Sequence, residues 1–322
     1  MIVLITGATG FLGSNLARFL VERGDVVHGT RYRNLTSMNP GLLQGTSLID
    51  CDVTDAARLD FVLAAIRPER IYHLAAQSLP TLSWHEPALT VRTNVIGTLN
   101  LFQSVIKQKL KTRVLVACSS AEYGLVSEEE VPVGEDHALK PLHPYGVSKV
   151  AQDLLAYQYF VNYGIPSVRI RIFNTTGPGK TNDVSSDFAR EIARIENGAT
   201  STVIKVGNLD TRRDITDVRD NIRGLYLAME KGKMGEVYNL CRGEAYRIAD
   251  LLTMMVRQSS RPIEVEVDRK LLRPSDEPII MGDNTRMRAQ TGWEPEVPLQ
   301  QTLGDILDFW RVKTSRMIKC SQ

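Results

Sequence analysis

The sequence predicts an α/β fold: a doubly wound parallel sheet with a smaller, interleaved C-terminal α/β lobe. Two observations carry that expectation. Across residues 1–174, short apolar runs alternate with amphipathic stretches near the helical period, the pattern of parallel strands joined by helices that cover both faces of a sheet. After Asn174 the alternation loses its regularity, opening with the glycine-rich stretch "TTGPGKTND". Residues 175–322 are therefore expected to form the smaller lobe, without a clean linker.

Each element has its own signal. "MIVLIT" reads as a buried strand, and "FLGSNLARFLVERG" as a helix with apolar positions near period 3.6 that ends at Gly24. "DVVHGT" and "TSLIDCD" are the second and third strands, and "AARLDFVLAAI" a helix. "RIYHLAA" is the fourth strand, followed by one long helix, "EPALTVRTNVIGTLNLFQSVIKQ", and the fifth strand "TRVLVACSS". "PYGVSKVAQDLLAYQYFVNYG" is helical with Pro144 suited to a first turn, and "PSVRIRIFN" is the sixth strand. In the lobe, "DFAREIARIENG" and "DVRDNIRGLYLAMEKG" read as helices and "STVIKVGN" as a strand, while Trp293 of "TGWEP" is expected to pack the last helix.

Composition excludes several classes. The 322 residues are 43% hydrophobic and 24% charged with a formal net charge of +2, so neither a nucleic-acid nor a membrane-surface partner is expected. Cys51, Cys118, Cys241 and Cys320 are scattered, with no Cys-x-x-Cys pair and no histidine at ligand spacing. A disulfide framework or metal site is not expected, and a reducing compartment fits. The opening "MIVLITGATGFLG" has too short an apolar run for a signal peptide, and no stretch approaches membrane-spanning length. A soluble, cytoplasmic protein is the expectation.

"GATGFLG" sets Gly7, Gly10 and Gly13 between the first strand and the first helix. Glycines there let the turn close and the backbone approach a pyrophosphate at the helix N-terminus. An acid at the end of the second strand would bond the ribose hydroxyls and repel a 2′-phosphate. This chain has Thr30 there, then Arg31 and Arg33 in "GTRYRN". Guanidinium suits phosphate, so NADP(H) is expected over NAD(H); the plain alternative is two solvated arginines. Asp52 of "CDVTD" is placed either to bond an adenine amino group or to cap the next helix, where Thr54 and Asp55 also qualify.

"PYGVSK" sets Tyr145 four residues before Lys149, on one face of a helix. An ammonium beside a phenol favours the phenolate, so Lys149 is expected to lower the Tyr145 pKa and suit it to proton transfer. The alternative is an ordinary surface pair. Ser119, with Ser120, stands in "CSSAEYG" where the fifth strand ends, the edge at which open α/β sheets bind ligands. Ser119, Tyr145 and Lys149 together form a proton-handling set.

"GATGFLG", "HLAAQS" (residues 73–78), Asn94, "SSAEYG", Tyr145-x-x-x-Lys149 and "RIFNTTGPG" occur in one order. This combination, spanning essentially the whole chain, resembles the extended short-chain dehydrogenase/reductase family, in its nucleotide-sugar branch. The resemblance implies a Rossmann domain (1–174) that holds NAD(P) and a lobe (175–322) that holds a sugar nucleotide. Cofactor contacts are then expected from Gly7, Thr9, Gly10, Phe11, Leu12 and Gly13, and from Arg31, Arg33, Asp52 and Val53. Leu74, Ala75, Ala76, Asn94, Tyr145 and Lys149 would complete them.

The dehydratases of that branch resemble one another in a "STDEVYG" or "STSELYG" stretch, whose glutamate abstracts and returns a proton. Here Ala121 takes that place and Glu122 lies one position on. Neighbouring side chains of a strand point to opposite faces, so elimination would lack its base unless a loop turned Glu122 back. "GNLD…RRD" and "AAQS" are shared with GDP-mannose 4,6-dehydratases, while "SAEYG" is more similar to GDP-4-keto-6-deoxy-D-mannose reductases. The resemblance therefore implies reduction of a C4 keto group, with a 4,6-dehydratase or 4-epimerase as the alternative. It sets Gln77, Ser78, Glu122, Asn174, Lys205, Arg213 and Arg273 against a GDP-linked substrate, although Arg213 could instead pair with Asp214 or Asp217. By the same resemblance a homodimer is expected through "NVIGTLNLFQSVI" and "AQDLLAYQYF", whose apolar stripes could equally pack the sheet.

Overall fold

The computed structural model describes residues 1–32, 39–272 and 277–320, so Arg33 and Arg273 lie outside the described residues. The first half runs β1 (Ile2–Thr6), α1 (Phe11–Glu22), β2 (Val26–Arg31), β3 (Ser47–Asp50), α2 (Ala56–Ile66), β4 (Arg70–His73), α3 (Pro80–His85), α4 (Pro87–Val91) and α5 (Gly97–Lys107). It continues with β5 (Arg113–Ser119), α6 (Pro144–Tyr163), β6 (Ser167–Ile172) and β7 (Asn174–Thr176). The rest is α7 (Val184–Glu196), β8 (Val203–Val206), β9 (Arg212–Asp217), α8 (Val218–Lys231), β10 (Val237–Leu240), β11 (Ala245–Arg247) and α9 (Ile248–Val256). The chain closes with β12 (Glu264–Val267), β13 (Ile279–Ile280), α10 (Thr285–Thr291) and α11 (Leu299–Cys320).

The main sheet has seven strands in the order β10-β6-β5-β4-β1-β2-β3, and every pairing within it is parallel. The order reverses at β1, so the connections leaving β1 and β4 diverge there, and a crevice opens at the carboxyl ends of those strands. Period-2 alternation explains why both faces are apolar. Val3 and Ile5 join Leu16, Leu20, Leu225 and Met229 on the α1–α8 side. Leu4 faces the other way, with Leu59, Leu101, Phe102 and Tyr159 on the side of α2, α5 and α6.

The lobe has its own core, where Phe188 and Ile192 of α7 meet Leu251 and Met255 of α9 and Leu303, Leu307 and Trp310 of α11. Its sheets are β11-β9-β13, with β7 paired to β9, and the parallel pair β12-β8. The chain returns from the lobe to the main sheet: β10 pairs with β6, and α8 covers the β1 side.

Two local expectations are corrected. The long helix before β5 is not one regular α-helix, because a π-helical turn at Arg92–Ile96 joins α4 to α5. Trp293 packs α8 rather than the last helix: its Nε1 donates to the Asp220 carbonyl at 2.8 Å. Gly224 makes room for it, since a Cβ there would stand 3.1 Å from that same nitrogen.

His73, at the end of β4, ties the sheet to α5. Its Nδ1 lies 2.8 Å from the Thr6 hydroxyl and its Nε2 2.9 Å from the Thr98 hydroxyl. Thr98 already donates to the Asn94 carbonyl, so it accepts from His73 Nε2–H, and Thr6 donates to Nδ1. The ring is thus held neutral. Burial, and then the Lys149 charge, push its pKa down to about 3.

The unfolded imidazole takes up a proton below its ordinary 6.5, while the folded one refuses it until about 3. Stability present above the first value is therefore lost as pH falls toward the second, at up to about 1.4 kcal/mol per pH unit for one proton. Denaturant unfolding of wild type and His73→Asn across that range should show the variant less stable at neutral pH. It should also lack this one-proton acid slope; parallel slopes would refute the assignment.

Candidate active site

The crevice is a single cleft of about 2530 Å³ running from α1 to the lobe. At one end the chain leaves β1 through Gly7, whose φ of 72° is open to glycine at little cost. A Cβ on Gly7 would sit 2.8 Å from Ala75 Cα, and one on Gly13 only 2.3 Å from the Gly7 carbonyl. Gly7 N donates to the Thr30 hydroxyl and Gly10 N to the Gly7 carbonyl, which holds the turn closed. Gly10 is the N-cap of α1 and supplies no side-chain cap. The first-turn N–H groups of Phe11, Leu12 and Gly13 then form an anion cradle that the close backbone packing at Gly7 and Gly13 permits. These residues fit a dinucleotide pyrophosphate.

Thr9, Asp52, Val53, Leu74, Ala75 and Ala76 line the same end. Asp52 accepts from the backbone and hydroxyl of Thr54 at 2.9 and 2.8 Å. The cap of α2 is instead Asp55, which accepts from Arg58 N. Among the described residues, two expected cofactor contacts do not line the cleft. Arg31 turns to the adjacent strand, its Nε 2.6 Å from Asp50 Oδ1. Asn94, in the π-helical turn, is fully buried: it accepts from Gln77 N, donates to the Gln77 carbonyl and donates to the Ser148 hydroxyl. It acts on the cleft wall from behind.

Ser119, Ser120, Tyr145 and Lys149 meet at the centre of the cleft. Ser119 ends β5, and Tyr145 and Lys149 enter from the first turns of α6, which opens at Pro144. The α6 N-cap is His143, whose Nδ1 accepts from Gly146 N at 3.0 Å. The Lys149 ammonium donates to the Ala117 carbonyl of β5 at 2.8 Å and lies 5.7 Å from the Tyr145 ring centre.

The electrostatics differ from the expectation that Lys149 lowers the Tyr145 pKa. Burial pushes the phenol up to about 12, against a hydrogen bond from Ser119 that pulls it down. Burial also pushes Lys149 down to about 8, with Cys118 and Glu122 opposing. Desolvation outweighs the pair interaction, so Tyr145 stands as a neutral phenol able to give a proton.

Glu122 does not reach the cleft. It is fully buried behind Ser119 and meets Arg171 Nε at 3.2 Å, whereas Ala121 lines the cleft. The short 3-10 turn Ser120–Glu122 turns the acid inward rather than returning it to the substrate side.

Gln77, Ser78, Asn174, Lys205 and Arg213 all line the cleft, the last three from the lobe side. The Gln77 side chain also braces its own loop through Leu79 and Thr90. Lys205 is 61% exposed and 3.9 Å from Asp268. Arg213 donates to the carbonyls of Arg212 and Glu277 at 3.0 and 2.7 Å. Asp214 accepts from Arg242 N and Gly243 N, and Asp217 pairs with Arg219. Sequence reasoning passed over Arg190 and Arg194 of α7, which add charge to the same wall. It also passed over the buried Arg169–Asp153–Arg171 group behind the site. Its signal was two arginines at alternate positions of a strand that otherwise reads as buried.

Residues 4–306 match the GDP-mannose 4,6 dehydratase family. The chain is 30% identical over 309 residues to the GDP-6-deoxy-D-mannose reductase of Pseudomonas aeruginosa, covering 96% of each chain. It is 27% identical to the GDP-mannose 4,6-dehydratase of Vibrio cholerae serotype O1, covering 99% of this chain and 96% of that one. Among solved structures, RMD from Pseudomonas aeruginosa complexed with NADPH superposes with a TM-score of 0.84 at 28% identity, covering 97% of this chain and all of the other. The UDP-glucose 4-epimerase of Thermotoga maritima with UDP-glucose gives 0.88 at 26%, covering 98% and 100%. Whole-length similarity joins the glycine cradle and the Ser119–Tyr145–Lys149 centre in one conclusion: the chain belongs to the GDP-mannose 4,6-dehydratase family of nucleotide-sugar enzymes.

Proposed function

We infer that the protein is a reductase that uses NADPH on the C4 keto group of a GDP-linked 4-keto-6-deoxy-hexose, giving GDP-D-rhamnose or its C4 epimer. One observation carries this reading. Ala121 lines the cleft where a dehydratase would need an acid, while Glu122 is buried against Arg171. Elimination thus lacks its base, and the proton-donating centre is intact. Similarity to the Pseudomonas aeruginosa reductase supports the same substrate class.

Held at the glycine cradle of Gly7, Gly10 and Gly13, the cofactor would supply a hydride to C4. The protein does the rest. Ser119 and Ser120 hold the carbonyl oxygen, and Tyr145, kept neutral by burial, gives its proton to that oxygen as the alcohol forms. Lys149, anchored on Ala117 with its ammonium 5.7 Å from the Tyr145 ring centre, would hold the nicotinamide ribose. Asn174, Lys205 and Arg213 offer the polar and cationic groups that a diphosphate needs. Preference for NADPH rests on Thr30, which places no acid against a 2′-phosphate, and on Arg31 at the end of β2. Arg31 would have to leave its pair with Asp50 to meet that phosphate.

A 4-epimerase is the second reading, favoured by the TM-score of 0.88 to the Thermotoga enzyme. It would interconvert a nucleotide sugar without net cofactor loss. A homodimer also fits. Val147, Leu154 and Val161 of α6 are more than half exposed at seven-residue intervals, beside the exposed Leu89 and Ile96. The plain stripe that packs the sheet lies on the other side of the same helices.

Mixed with GDP-4-keto-6-deoxy-D-mannose, the protein should consume NADPH one for one. Conversion of a nucleotide sugar with no net cofactor change would support the epimerase instead. Tyr145→Phe should lower kcat by at least about 100-fold, the usual scale of general-acid catalysis, while NADPH titration shows nearly unchanged affinity. Full turnover in that variant would refute the proton-donor role. Arg31→Ala should weaken NADPH binding several-fold and leave NADH binding unchanged, read by fluorescence titration; equal loss for both would remove Arg31 from 2′-phosphate recognition.

A further inference from the structure

Glu122 is a buried acid that the mechanism above does not use. Its Oε1 accepts the Ser119 backbone N–H at 2.8 Å, and the Ser119 hydroxyl accepts from Ala121 N at 3.2 Å. The two residues thus lock one another into a reciprocal cap. On its far side a Glu122 carboxylate oxygen comes within 4.8 Å of one from Asp153 of α6, and its Oε2, buried without a hydrogen-bond partner, lies 3.2 Å from Arg171 Nε of β6. Arg171 also holds Asp153 at 2.9 Å and donates to the Tyr123 hydroxyl and the Glu135 carbonyl. Asp153 holds Arg169 as well.

Cys118 of β5 closes the group, its sulfur and the two carboxylates lying within 4.8 Å of one another. That spacing would suit a cation, and the Arg171 guanidinium is the cation there. Toward the cleft, Tyr145 and Lys149 both feel the Glu122 charge. The Glu135 carboxylate is turned away, to Asn239 N and Arg286. Two carboxyl groups this close and this deeply buried resist carrying two negative charges, which favours one proton between them.

The geometry assigns Glu122 as a positioning residue that, wedged between Asp153 and Arg171, holds the Ser119 peptide and so aims the Ser119 hydroxyl at Tyr145. This rests on the reductase reading for the roles of Ser119 and Tyr145. Burial, then the Asp153 charge, push Glu122 up to about 8, with Arg171 opposing. Loss of its proton above that pH sets a second negative charge beside Asp153. That charge raises the Tyr145 pKa, and the phenol gives its proton less readily.

The experiment is the pH profile of kcat and KM for wild type, Glu122→Gln and Glu122→Leu, with unfolding midpoints recorded for each. Glutamine keeps an acceptor for Ser119 N and a donor for Asp153, whereas leucine keeps neither. Wild type should lose kcat on an alkaline limb that is steeper than in Glu122→Gln, where Lys149 alone of the two still titrates near 8. Glu122→Leu should lose about ten-fold or more in kcat at every pH with KM little changed, as a buried N–H left without an acceptor predicts. Glutamine should recover most of that loss. Identical alkaline limbs in wild type and Glu122→Gln, or equal kcat in all three, would overturn the inference.

Absence of NADPH consumption by wild type would mark failure of the reductase reading instead. Ultraviolet titration of the Tyr145 phenol, taken as the difference from Tyr145→Phe, then tests Glu122 without any substrate. Its pKa should fall in Glu122→Gln, and an unmoved titration would overturn the inference.

Discussion

The buried pairing of Asp153 with Arg171 is the constraint on which the site depends. It joins α6, which carries Tyr145 and Lys149, to β6, the neighbour in the sheet of the strand that ends in Ser119. Removing two charges from water is unfavourable, and only good geometry with further hydrogen bonds offsets it. Those bonds are present: Arg171 reaches Tyr123 and Glu135, and Asp153 also holds Arg169. Sliding α6 along the sheet would break the network and leave uncompensated charge in the core. The register of Tyr145 and Lys149 is therefore set from behind rather than from the cleft.

A second constraint is the close approach of backbones at the dinucleotide end. Gly7 against Ala75 and Gly13 against Gly7 leave no room for a Cβ. The space thus freed brings the α1 N-terminus to the edge where the strand order reverses. His73 links that edge to the α5 side, since its ring is bonded to Thr6 of β1 and to Thr98 of α5. Thr98 also accepts from Gln152 of α6, so one polar chain crosses from the cofactor end to the helix of Tyr145.

Much of this was legible in the sequence for a physical reason. Strand and helix periods follow from which side chains must be apolar, and β1 to β6 stand where the apolar runs place them. The glycine spacing and the Tyr145–Lys149 spacing are local, and both sets of residues line one cleft. The less legible parts depended on direction. Asn94 and Glu122 have the chemistry of ligand-binding residues, yet both point into the protein. The strand β10 carries no crossover signal that says which sheet it joins, and only the packing of α8 on the β1 face settles it.

By itself the sequence determined the class of fold, the glycine turn and the Tyr145–Lys149 pairing that lines the cleft, because each is set by side-chain type at short spacing. Tertiary structure alone decided their electrostatics and their orientation. The expected low-pKa tyrosine became a neutral phenol because burial, which no spacing encodes, outweighs a lysine whose ammonium is engaged by Ala117. Arg31 faces Asp50 because β2 and β3 are neighbours in the sheet. Desolvation and long-range pairing are properties of the folded surroundings, and those exist only once residues far apart in the chain have been brought together.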